Sequence, residues 1–311
     1  MSFATKDLFV IGRQKGYYDC MIVRKTVGKD QSGFRLDDAI ATLCAGVSKS
    51  EARRIIDRGG CTVNVALVRV ASRSVKAGDV IEIGIMEAGR FQELLLPPEA
   101  LLYEDPELIA VSKPAGINSQ RTPYQLKGTL EYWVTEYFKG QGNSEPARVV
   151  HRLDRGTSGA MLFPKNRQAA GRLSKLFQDG LVDKLYLALV CGRPDQEKWR
   201  VDAPIGKVAP ARYGVVEGGK AAITEFRTMA SSGDLSLVEA RPLTGRTHQI
   251  RVHLASVGLP ILGDTSYGGG AAGRMMLHCS TMTFRNAKGV EISVTAPLDG
   301  EFAELAQAMG G

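Results

Sequence analysis

The apolar pattern changes character once, at Glu93–Pro98, where a leucine run ends in a double proline. A proline pair ends regular structure and marks a linker. Upstream of it, helical spacings lead into a few short strands. Downstream, strands predominate and helices are few. That break predicts two domains, in keeping with a chain of 311 residues.

In the upstream part, Leu36, Ile40 and Leu43 recur at helical spacing after Arg35. Ser48 and Glu51 form a capping-box pattern. It opens a second helix carrying Ala52, Ile55 and Ile56, which Gly59 and Gly60 end. Val63, Val65, Val68 and Val70, then Val80 to Ile83, read as short strands. Residues 1 to 32 mix Gly, Lys and Tyr without clear periodicity and read as an irregular extension. The expected division is therefore an extension over 1–32, a small domain over 33–90 and a large domain over 91–311.

In the large domain, Leu108–Val111 reads as a strand running into the turn Lys113-Pro114-Ala115-Gly116. Val149 and Val150 lead into a polar loop, and Gly159–Phe163 reads as the next strand. Residues 166–179 read as a helix with Leu173, Leu176 and Phe177 inward. Residues 184–190 read as a strand, and 247–257 as a helix facing inward through Ile250, Leu254 and Val257. Strands and helices in irregular order indicate an α+β domain.

The formal net charge is +7 and the pI about 9.1. Such a balance favours a polyanionic partner, although charge alone equally suits a basic enzyme that never meets nucleic acid. The five cysteines are scattered without a Cys-x-x-Cys pair, as expected in a reducing compartment. They do not combine with the four histidines into zinc spacing, and no glycine-rich nucleotide fingerprint is present. The expectation is no metal and no cofactor. No apolar run approaches the roughly 18 residues of a membrane span, and the start shows no secretory pattern, so a cytoplasmic protein with no membrane partner is expected. Without a long apolar stripe, a monomer is expected.

Two polar segments carry candidate chemistry. In His151-Arg152-Leu153-Asp154-Arg155-Gly156-Thr157-Ser158-Gly159, an acid sits between two arginines in a loop between strands. Neighbouring cations favour the ionised carboxylate, and an ionised carboxylate in a pocket can act as a nucleophile. The segment also suits a capped turn with a surface ion pair. In Gly245-Arg246-Thr247-His248-Gln249-Ile250-Arg251-Val252-His253-Leu254, cations and imidazoles gather at the start of a helix. Arg246 would lie near the helix N-terminus, where the dipole disfavours a cation, so an anionic partner is expected for it. A plain basic surface patch is the other reading.

The first of these segments resembles the signature His-Arg-Leu-Asp-x-x-Thr-Ser-Gly of the RluA-like RNA pseudouridine synthases. The resemblance continues in order. Tyr103-Glu104-Asp105 through Lys113-Pro114-Ala115-Gly116 is similar to the family's first motif, and Asp183-Lys184-Leu185-Tyr186 to its Lys-x-Tyr strand. Arg241–Arg251 with Gly263-Asp264 resembles its third motif, and Leu277-His278 its late Leu-His element. Residues 34–85, with Ser48-Lys49-Ser50-Glu51-Ala52-Arg53-Arg54, resemble an S4 RNA-binding domain. The resemblance covers about residues 34–298. Gly156, Ile117-Asn118-Ser119-Gln120 and Val63-Asn64-Val65 depart from the commoner family residues at their positions.

The resemblance implies a small S4-like domain followed by a mixed, largely antiparallel-sheet catalytic domain that converts uridine in RNA to pseudouridine without a cofactor. It implies Asp154 as the nucleophile or base at the ribose and Tyr186 stacked on the uracil. Arg251 would be the ion-pair partner of Asp154, with Arg246 second in line. Leu277 would pack against the base. Arg152, Arg155 and Arg246, with Arg53, Arg54 and Arg58 in the S4-like region, would contact RNA. By composition alone the last three equally form a solvated helix face, and His151 and His248 read as stabilisers of their turns. The implied substrate is ribosomal RNA of the large subunit, with transfer RNA as the other choice. Two further readings are an inert S4-type RNA-binding or ribosome-associated protein and a hydrolase releasing free uracil.

Overall fold

The structure is a computed structural model that describes residues 8–9, 20–57, 60–64, 66–68, 70–86, 98–121, 128–209 and 212–310. The chain divides into two compact units, residues 1–94 with 120–133, and residues 95–119 with 134–311. Expectations for residues 1–7 and 10–19, Arg58, Gly59, Val65 and the linker up to Pro97 lie outside the described residues.

The first unit contains β1 (Leu8–Phe9), β2 (Cys20–Thr26), α1 (Leu36–Leu43), α2 (Lys49–Asp57), β3 (Cys61–Val63), β4 (Ala66–Leu67) and β5 (Val80–Met86). The strands form one antiparallel sheet in the order β1-β2-β5-β3-β4. Leu36, Ala39 and Ile40 place one face of α1 in the core with Ala52 and Ile56 of α2, over Val63, Ile81 and Ile83. The Ser48 hydroxyl accepts the Glu51 N–H at 3.2 Å, the first arm of the predicted capping box.

The reading of residues 1–32 as an irregular extension is corrected at β2. All seven residues of this strand pair with β5, from Cys20↔Met86 to Thr26↔Val80. Its pairing partner is distant in sequence, and Arg24-Lys25 interrupts apolar alternation between buried Val23 and Val27. Backbone pairing, which has no local sequence pattern, decides this strand. Asn64 has φ 51°, in the left-handed region. Its side chain accepts the Val80 N–H at 2.9 Å and donates to Asp79 at 2.8 Å. Local hydrogen bonds of this kind let Asn occupy a turn position that glycine otherwise favours.

Beyond Pro98 the elements are β6 (Leu101–Glu104), β7 (Leu108–Lys113), α3 (Leu130–Gly140), β8 (Ser158–Pro164), α4 (Arg167–Gln178), β9 (Asp183–Cys191), β10 (Lys198–Asp202), β11 (Ile205–Ala209), β12 (Arg212–Val215), β13 (Ile223–Ser232), β14 (Leu235–Pro242), α5 (Gln249–Ser256), β15 (Leu277–Arg285), β16 (Glu291–Thr295) and α6 (Gly300–Ala308). A nine-stranded sheet runs β10-β13-β14-β9-β15-β8-β7-β6, with β16 also paired to β15. Every pairing in it is antiparallel except β15 with β8. The hairpin β11–β12 stands apart from that sheet. The large domain is thus α+β, with a mixed and largely antiparallel sheet.

The parallel junction explains a glycine in the polar loop. Gly159 pairs with Cys279, has φ 114°, and a Cβ there would lie 2.2 Å from the Cys279 carbonyl oxygen. Only glycine permits β8 to lie this close to β15. The loop that enters β8 is thereby delivered to the inside of the sheet, beside β15, whose other neighbour is β9. Ala188, Val190, Val238, Ala240 and Met276 fill the core there, with Ile250 and Leu254 of α5 packed on them. Helix α5 is shorter than predicted: it ends at Ser256, and Val257, expected inward, is exposed. Its six residues Gln249–Leu254 are all buried, so polar side chains enter the interior with the apolar ones.

Candidate active site

Asp154 lies in the loop preceding β8, and its main chain is held from several directions. The Thr157 N–H donates to the Asp154 carbonyl at 3.1 Å. Next to it, the Ser119 hydroxyl donates to the Leu153 carbonyl at 2.6 Å and accepts the Leu153 N–H at 3.0 Å. On the other side, Gly116 N–H donates to the Arg155 carbonyl at 2.8 Å while Arg155 Nε donates back to the Gly116 carbonyl at 2.9 Å. Fully buried Lys113 closes the arrangement, its Nζ donating to the carbonyls of Pro114, Ile117 and Arg155 at 3.0, 2.8 and 3.3 Å. Burial draws the Lys113 ammonium down to about 7; Asp154 opposes this, and Arg274 and Arg155 add to it.

The Asp154 side chain is a quarter exposed, and its Oδ2 accepts from Arg251 Nη1 at 3.0 Å. Arg251 is buried in α5 and is gripped from behind by Asp264, with Nε–Oδ2 2.6 Å and Nη2–Oδ1 2.9 Å. This is a bidentate fork, which sets the plane of the guanidinium and aims the remaining nitrogen at Asp154. Burial disfavours the Arg251 charge, but the hydrogen bonds and fields of Asp264 and Asp154 outweigh it and raise its pKa. The guanidinium carbon also lies 4.8 Å from the centroid of the Tyr267 ring, a cation–π distance.

Asp154 and Arg251 open into a cleft of about 620 Å³ that Tyr186, Leu277, Arg152 and Arg246 also line. Tyr186 comes from β9 and is paired across the sheet with Cys279 and Ala240. Burial pushes its phenol well above the usual range, and the Cys279 thiol and the Asp154 carboxylate push further. The group therefore stays protonated, able to stack and to donate. Arg152 is exposed and donates to the Thr247 hydroxyl at 3.3 Å.

Arg246 donates from Nε to the Ala221 carbonyl at 2.9 Å, and among the described residues it has no carboxylate partner. Arg155 points to the Lys113–Gly116 turn and is not part of the cleft lining. In the small domain, Arg53 and Arg35 both bind the carboxylate of fully buried Asp37, Arg53 at 2.6 Å. The Arg35 hydrogen bond draws the Asp37 carboxyl far below its usual range; burial opposes that, and Arg53 adds to it. Arg54 is exposed, and Arg58 lies outside the described residues.

Four contributors have no role that the sequence pattern assigns them: Lys113, Ser119, Asp264 and Tyr267. Asp264 was quoted only as part of the Gly263-Asp264 pair, and its partner Arg251 lies 13 positions away. Nothing local marks Ser119, which acts on Leu153 across 34 positions. His151 has the structural role expected of it. Its Nε2 accepts the Leu162 N–H at 2.9 Å and its ring stacks on Phe177, centroids 4.3 Å apart. Burial, with help from Lys184, lowers the His151 pKa to about 3. A histidine held neutral in the fold loses stability as pH falls through its unfolded value near 6.5, and goes on losing it towards 3. Stability measured by denaturant between pH 6.5 and 4 should fall with acidification, and His151→Asn should flatten that slope. An unchanged slope would assign the acid sensitivity to other groups.

The geometry of this domain matches that of known proteins. Residues 107–256 match the family model described as RNA pseudouridylate synthase. The RNA pseudouridine synthase YhcT of Bacillus subtilis is 38% identical over 213 residues, 66% of this chain and 70% of that protein. The chain belongs to the RNA pseudouridine synthase family. Ribosomal large subunit pseudouridine synthase C of Vibrio cholerae is 31% identical over 306 residues, covering 91% of this chain and 94% of its own. The human RNA pseudouridylate synthase domain containing 1 superposes with a TM-score of 0.54 at 27% identity, over 72% of this chain and 98% of that one. The chain is of the RluA type, an RNA-modifying isomerase and not an inert binding protein. Among the described residues, no helix is long and apolar enough to cross a membrane.

Proposed function

We propose that this synthase acts on a flipped-out uridine at Asp154, and that its substrate is ribosomal RNA of the large subunit. The observation that carries the assignment is the Arg251–Asp154 ion pair, 3.0 Å long, in a cleft that Tyr186 and Leu277 also line. The reaction breaks the C1′–N1 bond, turns the uracil, forms a C1′–C5 bond and moves one proton from C5. No electron or group donor enters that balance. Asp154 acts at the ribose, either on C1′ or on the 2′ proton. Tyr186 stacks on the uracil and relays the C5 proton, a role suited to a phenol that stays protonated. Leu277 supports the base. Since the target atom is hidden inside an RNA stack, the nucleotide must leave it, and Arg152 and Arg246 at the rim suit the flanking phosphates. Relatives named as large-subunit synthases, that of Vibrio cholerae among them, support the choice of RNA, and transfer RNA is the other candidate.

The small domain is proposed as an S4-like RNA-binding module, with Arg54 and Arg58 towards phosphate. Arg53, held on Asp37 through Nε, would contribute through its other guanidinium N–H groups. The protein is proposed to work as a cytoplasmic monomer. Incubation with total RNA from a strain lacking this protein, followed by carbodiimide–primer-extension mapping, identifies the target. New pseudouridine in large-subunit RNA supports the assignment; new sites only in transfer RNA would replace it. Removing residues 1–90 should weaken RNA binding and flatten its dependence on salt, because phosphate contacts release counterions. Some activity should remain on short substrates. An unchanged salt slope would deny the small domain an RNA role.

A further inference from the structure

His248 takes no part in the chemistry assigned above, yet it borders the cleft and stands next to Asp154. It is the N-cap of α5, with φ 57° and ψ 22°, a left-handed backbone for a side chain with no glycine-like freedom. Such conformations cost energy and persist where the surroundings impose them. Here they direct the ring between Tyr213 and Tyr267, whose rings meet it edge-on at 5.5 and 5.7 Å.

The hydrogen bonds on the far side of this ring favour one tautomer over the other. The Tyr213 backbone N–H, on β12, lies 3.1 Å from the Tyr267 hydroxyl. An amide can only donate, so the Tyr267 oxygen accepts there. The hydroxyl hydrogen is left, and among the described residues its acceptor is His248 Nδ1 at 2.8 Å. An Nδ1 that accepts carries no hydrogen, and a neutral imidazole then holds its hydrogen on Nε2. Nε2 faces the cleft, 3.7 Å from Asp154 Oδ2. That is too long for a hydrogen bond, and the same Oδ2 is already bonded to Arg251. The Nε2 hydrogen is therefore available to whatever group approaches Asp154.

We propose that His248 donates a hydrogen bond from Nε2 to an oxygen of the flipped uridine beside Asp154, and that Tyr267, anchored by the Tyr213 amide, holds it as the Nε2–H tautomer for that purpose. The proposal rests on the assignment of Asp154 as the uridine site. It makes His248 a substrate-contacting residue and Tyr267 a positioning residue. Tyr267 serves both catalytic arms, since its hydroxyl orients His248 while its ring face supports Arg251. The charged groups facing the imidazole are Asp154, Arg251, Asp264 and Arg152. Burial lowers its pKa; Asp154 and Asp264 oppose this and Arg251 and Arg152 add to it, so the ring is neutral at physiological pH.

The tautomer is read directly, without substrate. The chain has four histidines, and ¹⁵N-histidine labelling with long-range proton–nitrogen spectra separates protonated from bare ring nitrogens, His248→Gln giving the assignment. The expected result is a protonated Nε2 and a bare Nδ1 at His248. Tyr267→Phe should mix the tautomers and raise the His248 pKa, because the bond that favours a bare Nδ1 is gone. Kinetically, His248→Leu should lower kcat at least about tenfold with KM within about threefold, in the range of a lost transition-state hydrogen bond. His248→Gln, whose amide reaches the place of Nε2, should recover most of that loss. In Tyr267→Phe the acid limb of kcat should move to higher pH. A wild-type ring protonated on Nδ1, an acid limb unmoved in Tyr267→Phe, or full turnover in His248→Leu would each overturn the proposal. The tautomer result stands apart from the assignment of Asp154: normal turnover in Asp154→Asn would remove that assignment and leave the spectrum as it is.

Discussion

Asp154→Asn is expected to abolish pseudouridine formation, with turnover down at least about a thousandfold, while the protein remains folded. The amide keeps the shape of the carboxylate and removes its chemistry. It can neither attack C1′ nor accept the 2′ proton at neutral pH, so either role for Asp154 predicts the same loss. The structural cost is small for a specific reason. Arg251 does not depend on Asp154 for its charge balance, because Asp264 already binds it through two hydrogen bonds of 2.6 and 2.9 Å. The asparagine Oδ1 can still accept from Nη1, and the side chain is partly solvated. The backbone clamps from Ser119 and Thr157 do not involve the carboxylate at all. The melting temperature should move by no more than a few degrees, about 1 kcal/mol or less for a chain of this size. Activity is measured as tritium released from C5-labelled uridine in RNA, or by mapping. Residual turnover within tenfold of wild type would move the nucleophile elsewhere in the cleft.

The separation between what the sequence disclosed and what it hid follows the range of the interactions. Strands and helices with local patterns were legible: α1 by Leu36 and Ile40, α4 by its amphipathic run, β8 and β9 by short apolar stretches between polar boundaries. β2 was not, because its evidence is a ladder to β5 some sixty positions away. At the site, Asp154 and Arg251 were legible as candidates because the segments around them, a loop and the start of α5, are dense in charged residues. Resemblance to a family, and not periodicity, singled out Tyr186, a residue that by pattern alone is an ordinary strand tyrosine. The supporting residues were hidden for a common reason. Ser119, Asp264 and Tyr267 each act on a partner that the chain brings back from a distance, and a serine, an aspartate or a tyrosine in a loop has many ordinary uses. Lys113 shows the opposite case. Its type and position were quoted with the first motif, but only its complete burial reveals that it ties the Asp154 loop to the turn after β7.

Arg251→Leu should be the more damaging substitution for the molecule as a whole, because it removes one cation from two carboxylates. Asp264 is 3% exposed and would keep a charge with no partner. Breaking a buried pair from one side costs about 3–5 kcal/mol, more than the pair itself contributes. The variant should therefore lose stability by that amount in denaturant unfolding and lose turnover at least about a hundredfold, since Asp154 is no longer aimed. These two losses have different remedies, which makes the assignment testable. Arg251→Leu combined with Asp264→Leu removes the stranded charge and should restore much of the stability, since a buried ion pair exchanged for apolar side chains is often neutral. It should not restore turnover, because nothing then orients Asp154 or balances its charge. Arg251→Lys should show the intermediate pattern: the charge is kept, but a single ammonium cannot bind Asp264 through a fork and reach Asp154 in the same geometry. Recovery of activity in the double variant would make Arg251 a purely structural residue. Loss of activity without loss of stability in Arg251→Leu would instead mean that Asp264 finds another partner, and would confine Arg251 to the chemistry at Asp154.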